Sequence, residues 1–189
     1  MRFHRIVAIA VVLVAAAVVT PGVAAGVPDR SPVSALAQGA DALDAGSAEV
    51  RTGLSDQGME FEKLVMLGVS GRDTFWVGSA SEGRVCLVIR HQGVGADWVA
   101  AASCLPSELM KERALPLNVW TQTTGTRAAL VRDGVDAASV ENATGLAGAR
   151  LEFGNLIIPA PETWTSEIST NVELADGGSI RVDLPSGTS

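Results

Sequence analysis

Hydrophobic positions fall into two regimes along this chain. Residues 6–19 are apolar without a break, whereas beyond residue 60 the apolar residues come in short runs separated by glycine-containing turns. The densest of these runs lies at 74–104. It holds three strand-like pieces, at 74–80, 84–90 and 97–103, each rich in Val, Ile, Trp or Phe. A turn at Ser81-Glu82-Gly83 and a loop over 91–96 separate them, which is the pattern of antiparallel hairpins. Within 84–90, Val85, Leu87 and Ile89 share one face, and Cys86 and Val88 share the other. Apolar residues on both faces predict a central strand covered on both sides.

Other stretches extend the pattern. Residues 63–69 read as a strand that reaches 74 through a turn at Ser70-Gly71-Arg72-Asp73. After Pro106, Ser107 is placed to cap a short helix with acid early and base late. Residues 117–124 and 127–132 form a hairpin around Gly125. A connector over 133–149 carries a helical turn near 137–141, and 151–158 reads as one strand ended by Pro159 and Pro161. The last hairpin, 167–174 and 179–184, turns at Asp176-Gly177-Gly178. Its apolar positions are Ile168, Val172, Leu174, Ile180, Val182 and Leu184. Arg-x-x-Leu-Val follows a glycine turn at both Arg84 and Arg127, so either a duplicated hairpin or shared hairpin grammar explains the echo.

The expected fold class is mainly β, a β-rich α+β chain. A small antiparallel β domain of eight or nine strands, with one or two short helices, spans 60–185 and ends in a tail at 186–189. About 125 residues suffice for one modest core. Residues 26–59 are rich in Gly, Ala, Ser and Asp, with Pro28 and Pro32 and only weak helical spacing at Leu36, Ala40 and Leu43. They read as a flexible linker or stalk.

Residues 1–25 change the picture most. Arg2 and Arg5 precede the apolar run, Pro21-Gly22 breaks it, and Val23-Ala24-Ala25 offers small residues for cleavage between Ala25 and Gly26. This is the layout of a secretory signal peptide. The competing reading is a retained membrane anchor, since residues 6–27 carry no charge. Either way the remaining chain is expected outside the cytoplasm, secreted or anchored to the plasma membrane.

Composition narrows the partners. The net charge is −7, and loss of Arg2 and Arg5 with a signal segment leaves 12 basic against 21 acidic side chains, a net −9. Such a surface has nothing to neutralise phosphates, so no nucleic-acid partner is expected. The membrane is expected to be touched only through an uncleaved N-terminal segment. Two cysteines in an exported chain are expected to pair, Cys86 with Cys104, in preference to two free thiols. If 84–90 pairs with 97–103 across the 91–96 loop, Cys86 falls opposite residue 101. The bridge then needs a bulge, a shifted register or a fold-back before Pro106.

The chemistry-bearing residues are sparse. His91 is the one histidine beyond residue 25, and it reads as an exposed turn residue. No G-x-S-x-G elbow supplies a serine for a triad through it. One His and two Cys without close spacing fall short of a zinc site. The turns at 133–136 and 176–178 are acidic but do not match a calcium loop. Gly93-Val94-Gly95 lacks a dinucleotide fingerprint. No catalytic residue, metal or cofactor is therefore expected. Of the tryptophans, Trp76, Trp98 and Trp120 sit within strands and read as core, and Trp164 is the candidate for an exposed contact.

Phe75-Trp76-Val77, the run from Gly83 to Val88, the run from Trp98 to Cys104, and the later run from Leu130 to Val135 together resemble a loose group of uncharacterised exported or single-pass membrane actinobacterial proteins. The resemblance spans residues 60–185. It implies a disulfide-containing β domain behind an N-terminal hydrophobic segment, and favours an anchor somewhat over cleavage.

The leading functional expectation is a non-catalytic cell-envelope module that binds or scaffolds a protein or wall component. One alternative is a secreted hydrolase using carboxylates such as Asp97 or Glu108 brought together by the fold. Another is a regulator or inhibitor of a partner protein, docking through an apolar patch near Trp164 or the C-terminal hairpin.

Overall fold

The computed structural model describes residues 31–38, 45–94, 97–121 and 124–186. The expected signal or anchor segment and the Ala25–Gly26 junction lie outside the described residues, as does most of the tail. Ten strands and three short α-helices are found among the described residues, in a β-rich antiparallel arrangement.

Strands β1 (Lys63–Ser70), β2 (Asp73–Ala80), β3 (Arg84–Gln92) and β4 (Trp98–Pro106) form a four-stranded meander. Its interior strand β3 is covered on both faces, as its apolar pattern requires. Val85, Leu87 and Ile89 enter one core together with Phe75, Val77 and Leu105. Cys86 and Val88 enter another with Trp76, Ala100 and Ala102. The second sheet has the order β5 (Leu115–Trp120), β6 (Gly125–Leu130), β8 (Leu156–Ile158), β7 (Arg150–Glu152). Leu115, Leu117, Val119, Ala128 and Leu130 on its inner face pack against the first sheet, so the two sheets form a sandwich. A separate hairpin, β9 (Ile168–Glu173) and β10 (Ser179–Leu184), covers the outer face of the second sheet. Its six alternating apolar side chains are all buried there. Helix α3 (Ala137–Asn142) completes this layer, and the Asp136 side chain caps it by accepting from Ala138 N at 3.1 Å.

Stretch 151–158 is not one strand. Glu152 to Asn155 forms a tight turn with Phe153 and Gly154 at φ of 53° and 77°, and β7 and β8 pair across it. Left-handed central residues match the twist of two-residue hairpins. Phenylalanine is costly there, and its ring contacts offset the cost: it seats on Gly68, where an added Cβ would come within 2.2 Å of the ring. The helix after Pro106 is a single 3-10 turn, Leu109–Lys111, with no side-chain cap from Ser107; it serves to bury Met110. The hairpins at Arg84 and Arg127 differ in register, Leu87 facing Val77 and Leu130 facing Leu115, which removes the structural basis for the echo.

The described part of stretch 26–59 is packed. Helices α1 (Ser34–Gln38) and α2 (Ala45–Ser55) bring in buried Val33, Leu36, Val50 and Leu54. Leu36 joins the core between the sheets, while α2 lies on the outer face of the first sheet. There Ser47 Oγ accepts from Trp76 Nε1 at 2.8 Å, and Arg51 donates to Phe61 O at 3.0 Å. The outer faces of β2, β3 and β4 are apolar and need this cover.

The disulfide joins Cys86 to Cys104, which stand directly opposite each other with Cα atoms 4.0 Å apart. Both strands run further into the loop than the pattern indicated, so that Gln92 pairs with Trp98. The expected 86–101 pairing is thereby replaced by 86–104, without a bulge. Disulfides of this kind belong with oxidising compartments outside the cytoplasm. No helix among the described residues is long and apolar enough to cross a membrane.

Candidate functional site

The two sheets leave a cleft of about 390 Å³ at one end of the sandwich. The β1–β2 turn supplies Ser70, Gly71, Arg72 and Asp73 on one side, and Arg150, residues 158–162 and Trp164 supply the other. Thr126 of β6 also lines it. Trp164, the tryptophan singled out in the sequence, is on this cleft and half-buried.

Two devices hold Trp164. Its indole Nε1 donates to Pro159 O at 3.1 Å, and its ring meets Trp120 in a T-shaped pair with centroids 5.5 Å apart. Beneath, Arg127 clamps the segment on both sides of Trp164. This fully buried guanidinium donates to Thr163 O at 3.1 Å, to Ser166 O at 2.9 Å and to Leu184 O. Burial pushes its pKa down from the usual arginine value. Trp98 and Trp120 are half-buried where core positions were expected; Trp76 alone of the three strand tryptophans is fully buried. Trp98 carries the Arg90 guanidinium 4.8 Å above its ring, and Trp120 is the partner of Trp164.

His91 is not an exposed turn residue. It is 3 % exposed, because β3 continues through it to Gln92. Its Nδ1 lies 2.5 Å from Asp73 Oδ1 and its Nε2 lies 2.8 Å from Thr124 Oγ1. Burial raises the Asp73 pKa, and the hydrogen bonds from His91 and Thr126 work against that rise. The order carboxylate, imidazole, hydroxyl is that of a nucleophile triad. Here, however, Asp73 lines the cleft while His91 and Thr124 do not. A nucleophile has to face its substrate, so this orientation suits Asp73 as the contacting group and His91 as the residue that positions it.

Asp97 and Glu108 are not brought together. Both are exposed and they flank opposite ends of nine-residue β4, roughly 30 Å of strand apart. Asp73 and Glu162 are instead the carboxylates on the Trp164 cleft. The acidic turns tie the fold together. Asp133 accepts from Ser34 N and Asn155 Nδ2, each at 2.7 Å, and Asp176 accepts from Gly178 N and Arg132. Among the described residues no group of three or more His, Cys, Asp or Glu is placed to hold a metal ion. The exposed large apolar side chains among them are Val69, Val94 and Phe153, none on the C-terminal hairpin.

Compared with known proteins, the chain matches no family model, no curated protein and no solved structure.

Proposed function

We propose that the chain is an extracytoplasmic, non-catalytic binding module of the cell envelope, and that its contact surface is the Trp164 cleft. The observation that carries the reading is the support given to one half-buried indole. Trp164 is fixed through its Nε1, braced by Trp120 and clamped from below by buried Arg127. Rigidity of this kind reduces the ordering cost of binding. The basic and apolar N-terminal segment supports export, either with cleavage after Ala25 or as a retained anchor, and the Cys86–Cys104 bridge fits that destination.

A photo-crosslinking residue placed at position 72, exposed on the rim of the cleft so that Trp164 itself is kept, tests the reading in the native host, with one at exposed Val94 as control. Position 72 is expected to capture an envelope component and position 94 is not. A cytosol-only reporter fused after residue 60 is expected to stay silent; a strong signal would overturn the extracytoplasmic assignment. The alternative, a secreted hydrolase, draws on Asp73 and Glu162 lining one cleft, the first with its pKa raised by burial. Envelope polymer cleavage that disappears in Asp73→Asn, while the melting temperature holds, would favour it over the module.

A further inference from the structure

We infer that the Trp164 cleft takes a neutral saccharide, an inference that rests on that cleft being the contact surface. Three features lead to this ligand. First, the charges on the lining are balanced, with Arg72 and Arg150 against Asp73 and Glu162. A polyanion would call for an excess of cations, and a polycation for an excess of carboxylates. Second, the lining offers both donors and acceptors. Guanidinium groups only donate, ionised carboxylates only accept, and the Ser70 hydroxyl does both, while the buried Thr126 hydroxyl is engaged by Asp73. A sugar hydroxyl also donates and accepts at once, so a ring of hydroxyls uses both kinds of group. Third, Trp164 provides a fixed apolar surface beside these polar groups. The C–H face of a pyranose is apolar and its rim is polar, which matches an indole flanked by planar polar side chains.

A peptide is the competing ligand that the test has to exclude. Strand addition needs a free sheet edge, and two edges end at the cleft, three-residue β7 at Arg150 and eight-residue β1 at Ser70. Neither brings the alternating apolar pockets that would read a peptide's side chains, whereas the Trp164 face and the polar groups around it suit a sugar ring. A second hollow, about 270 Å³ beside α1 and lined by Leu36, Lys63 and Arg84 among others, has no aromatic wall. His91 lies behind Asp73 at 2.5 Å from its Oδ1 and acts as a positioning residue for it.

The test is calorimetric titration of the purified full chain with neutral tetrasaccharides built from glucose, N-acetylglucosamine, mannose, galactose and arabinose. Uronic-acid tetramers and proline-containing peptides run beside them. At least one neutral tetrasaccharide is expected to bind saturably. Trp164→Ala is expected to weaken it at least tenfold, and Trp164→Phe less. Arg150→Ala and Glu162→Gln, both exposed positions, are expected to weaken it severalfold with melting temperature unchanged. Absence of saturable binding by every neutral saccharide overturns the inference, as does binding indifferent to Trp164→Ala. Tight binding of a peptide or uronate that depends on Trp164 also overturns it, yet leaves the binding-module reading standing. Failure of the position-72 crosslink to capture any envelope component removes both.

Discussion

At Asp73 two influences oppose each other, and burial wins. The side chain is 14 % exposed, and its pKa stands above the ordinary 3.8 although His91 and Thr126 both hydrogen-bond to it. Between 3.8 and the raised value, the folded chain holds a proton that the unfolded chain has released. Stability therefore falls as pH rises through that window. Asp183 behaves in the opposite sense. Burial pushes it up, but hydrogen bonds from Ser169 and Arg181 and the charges of Arg181 and Arg113 bring its pKa below 3.8. Its contribution is present above that pH and is lost as pH falls. Urea midpoints of wild type and Asp73→Asn across pH 3–6 isolate the first effect: the difference, wild type minus variant, is expected to fall as pH rises. A second residue-scale prediction concerns Gly68. An alanine Cβ there would sit 2.2 Å from the Phe153 ring, so Gly68→Ala is expected to destabilise by about 1–3 kcal/mol. Adding Phe153→Gly removes the clashing ring and the strained φ together. Denaturant melts are expected to show much of the loss restored in the double variant.

At the scale of elements, two attachments hold the first sheet. The Cys86–Cys104 bridge closes a separation of 18 residues across β3 and β4. Replacing both cysteines with alanine is expected to cost roughly 3 kcal/mol, read as a lower urea midpoint that reducing agent no longer shifts. Helix α2 is the other attachment, since it covers Trp76, Cys86 and Val88. Leu54, 1 % exposed, carries much of that cover, and Leu54→Ala is expected to cost about 2–5 kcal/mol in the same measurement. Removal of residues 31–59 is expected to leave that sheet face bare and to make the chain self-associate in sedimentation, which a detachable stalk would not do. The helix was hard to read because AGSAEVRTGLS has few large apolar residues, with glycine and threonine among the rest. The hairpins were easy to read because strand patterning is a local property: β9 and β10 alternate with period two, and β3 is a short continuous apolar run between turn signals. The β7–β8 turn escaped notice because Phe153-Gly154-Asn155 puts a bulky residue where glycine or asparagine is the usual sign.

For the molecule as a whole, sequence patterning conveys the sheets better than the site. Trp164 stands out by its place among prolines and outside any strand. The other walls of its cleft come from segments nearly a hundred residues apart, from Ser70 to Trp164, and nothing local marks Arg72 or Asp73. His91 was legible only as a histidine near a glycine-rich loop. Its partners lie 18 and 33 residues away, and one belongs to the other sheet's hairpin loop. The Asp73–His91–Thr124 chain thus spans the two sheets, and Arg127 does the same for the second sheet and the outer hairpin. Both are buried polar ties, whose loss leaves unpaired groups behind. Arg127→Met is expected to speed hydrogen exchange across residues 161–166 while that of β3 stays slow.

The bridge also bears on how the chain responds to force. Tension applied to the two ends of the chain runs lengthwise through it. Because the crosslink fastens neighbouring strands, the 18-residue span it encloses stays out of the load path. An atomic-force pulling trace is expected to reveal a contour length shorter by roughly 6 nm than that of the reduced chain. The β3–β4 pair would then be the part that yields least, whereas the cleft wall at residues 70–73 lies outside the crosslinked span and stays in the load path.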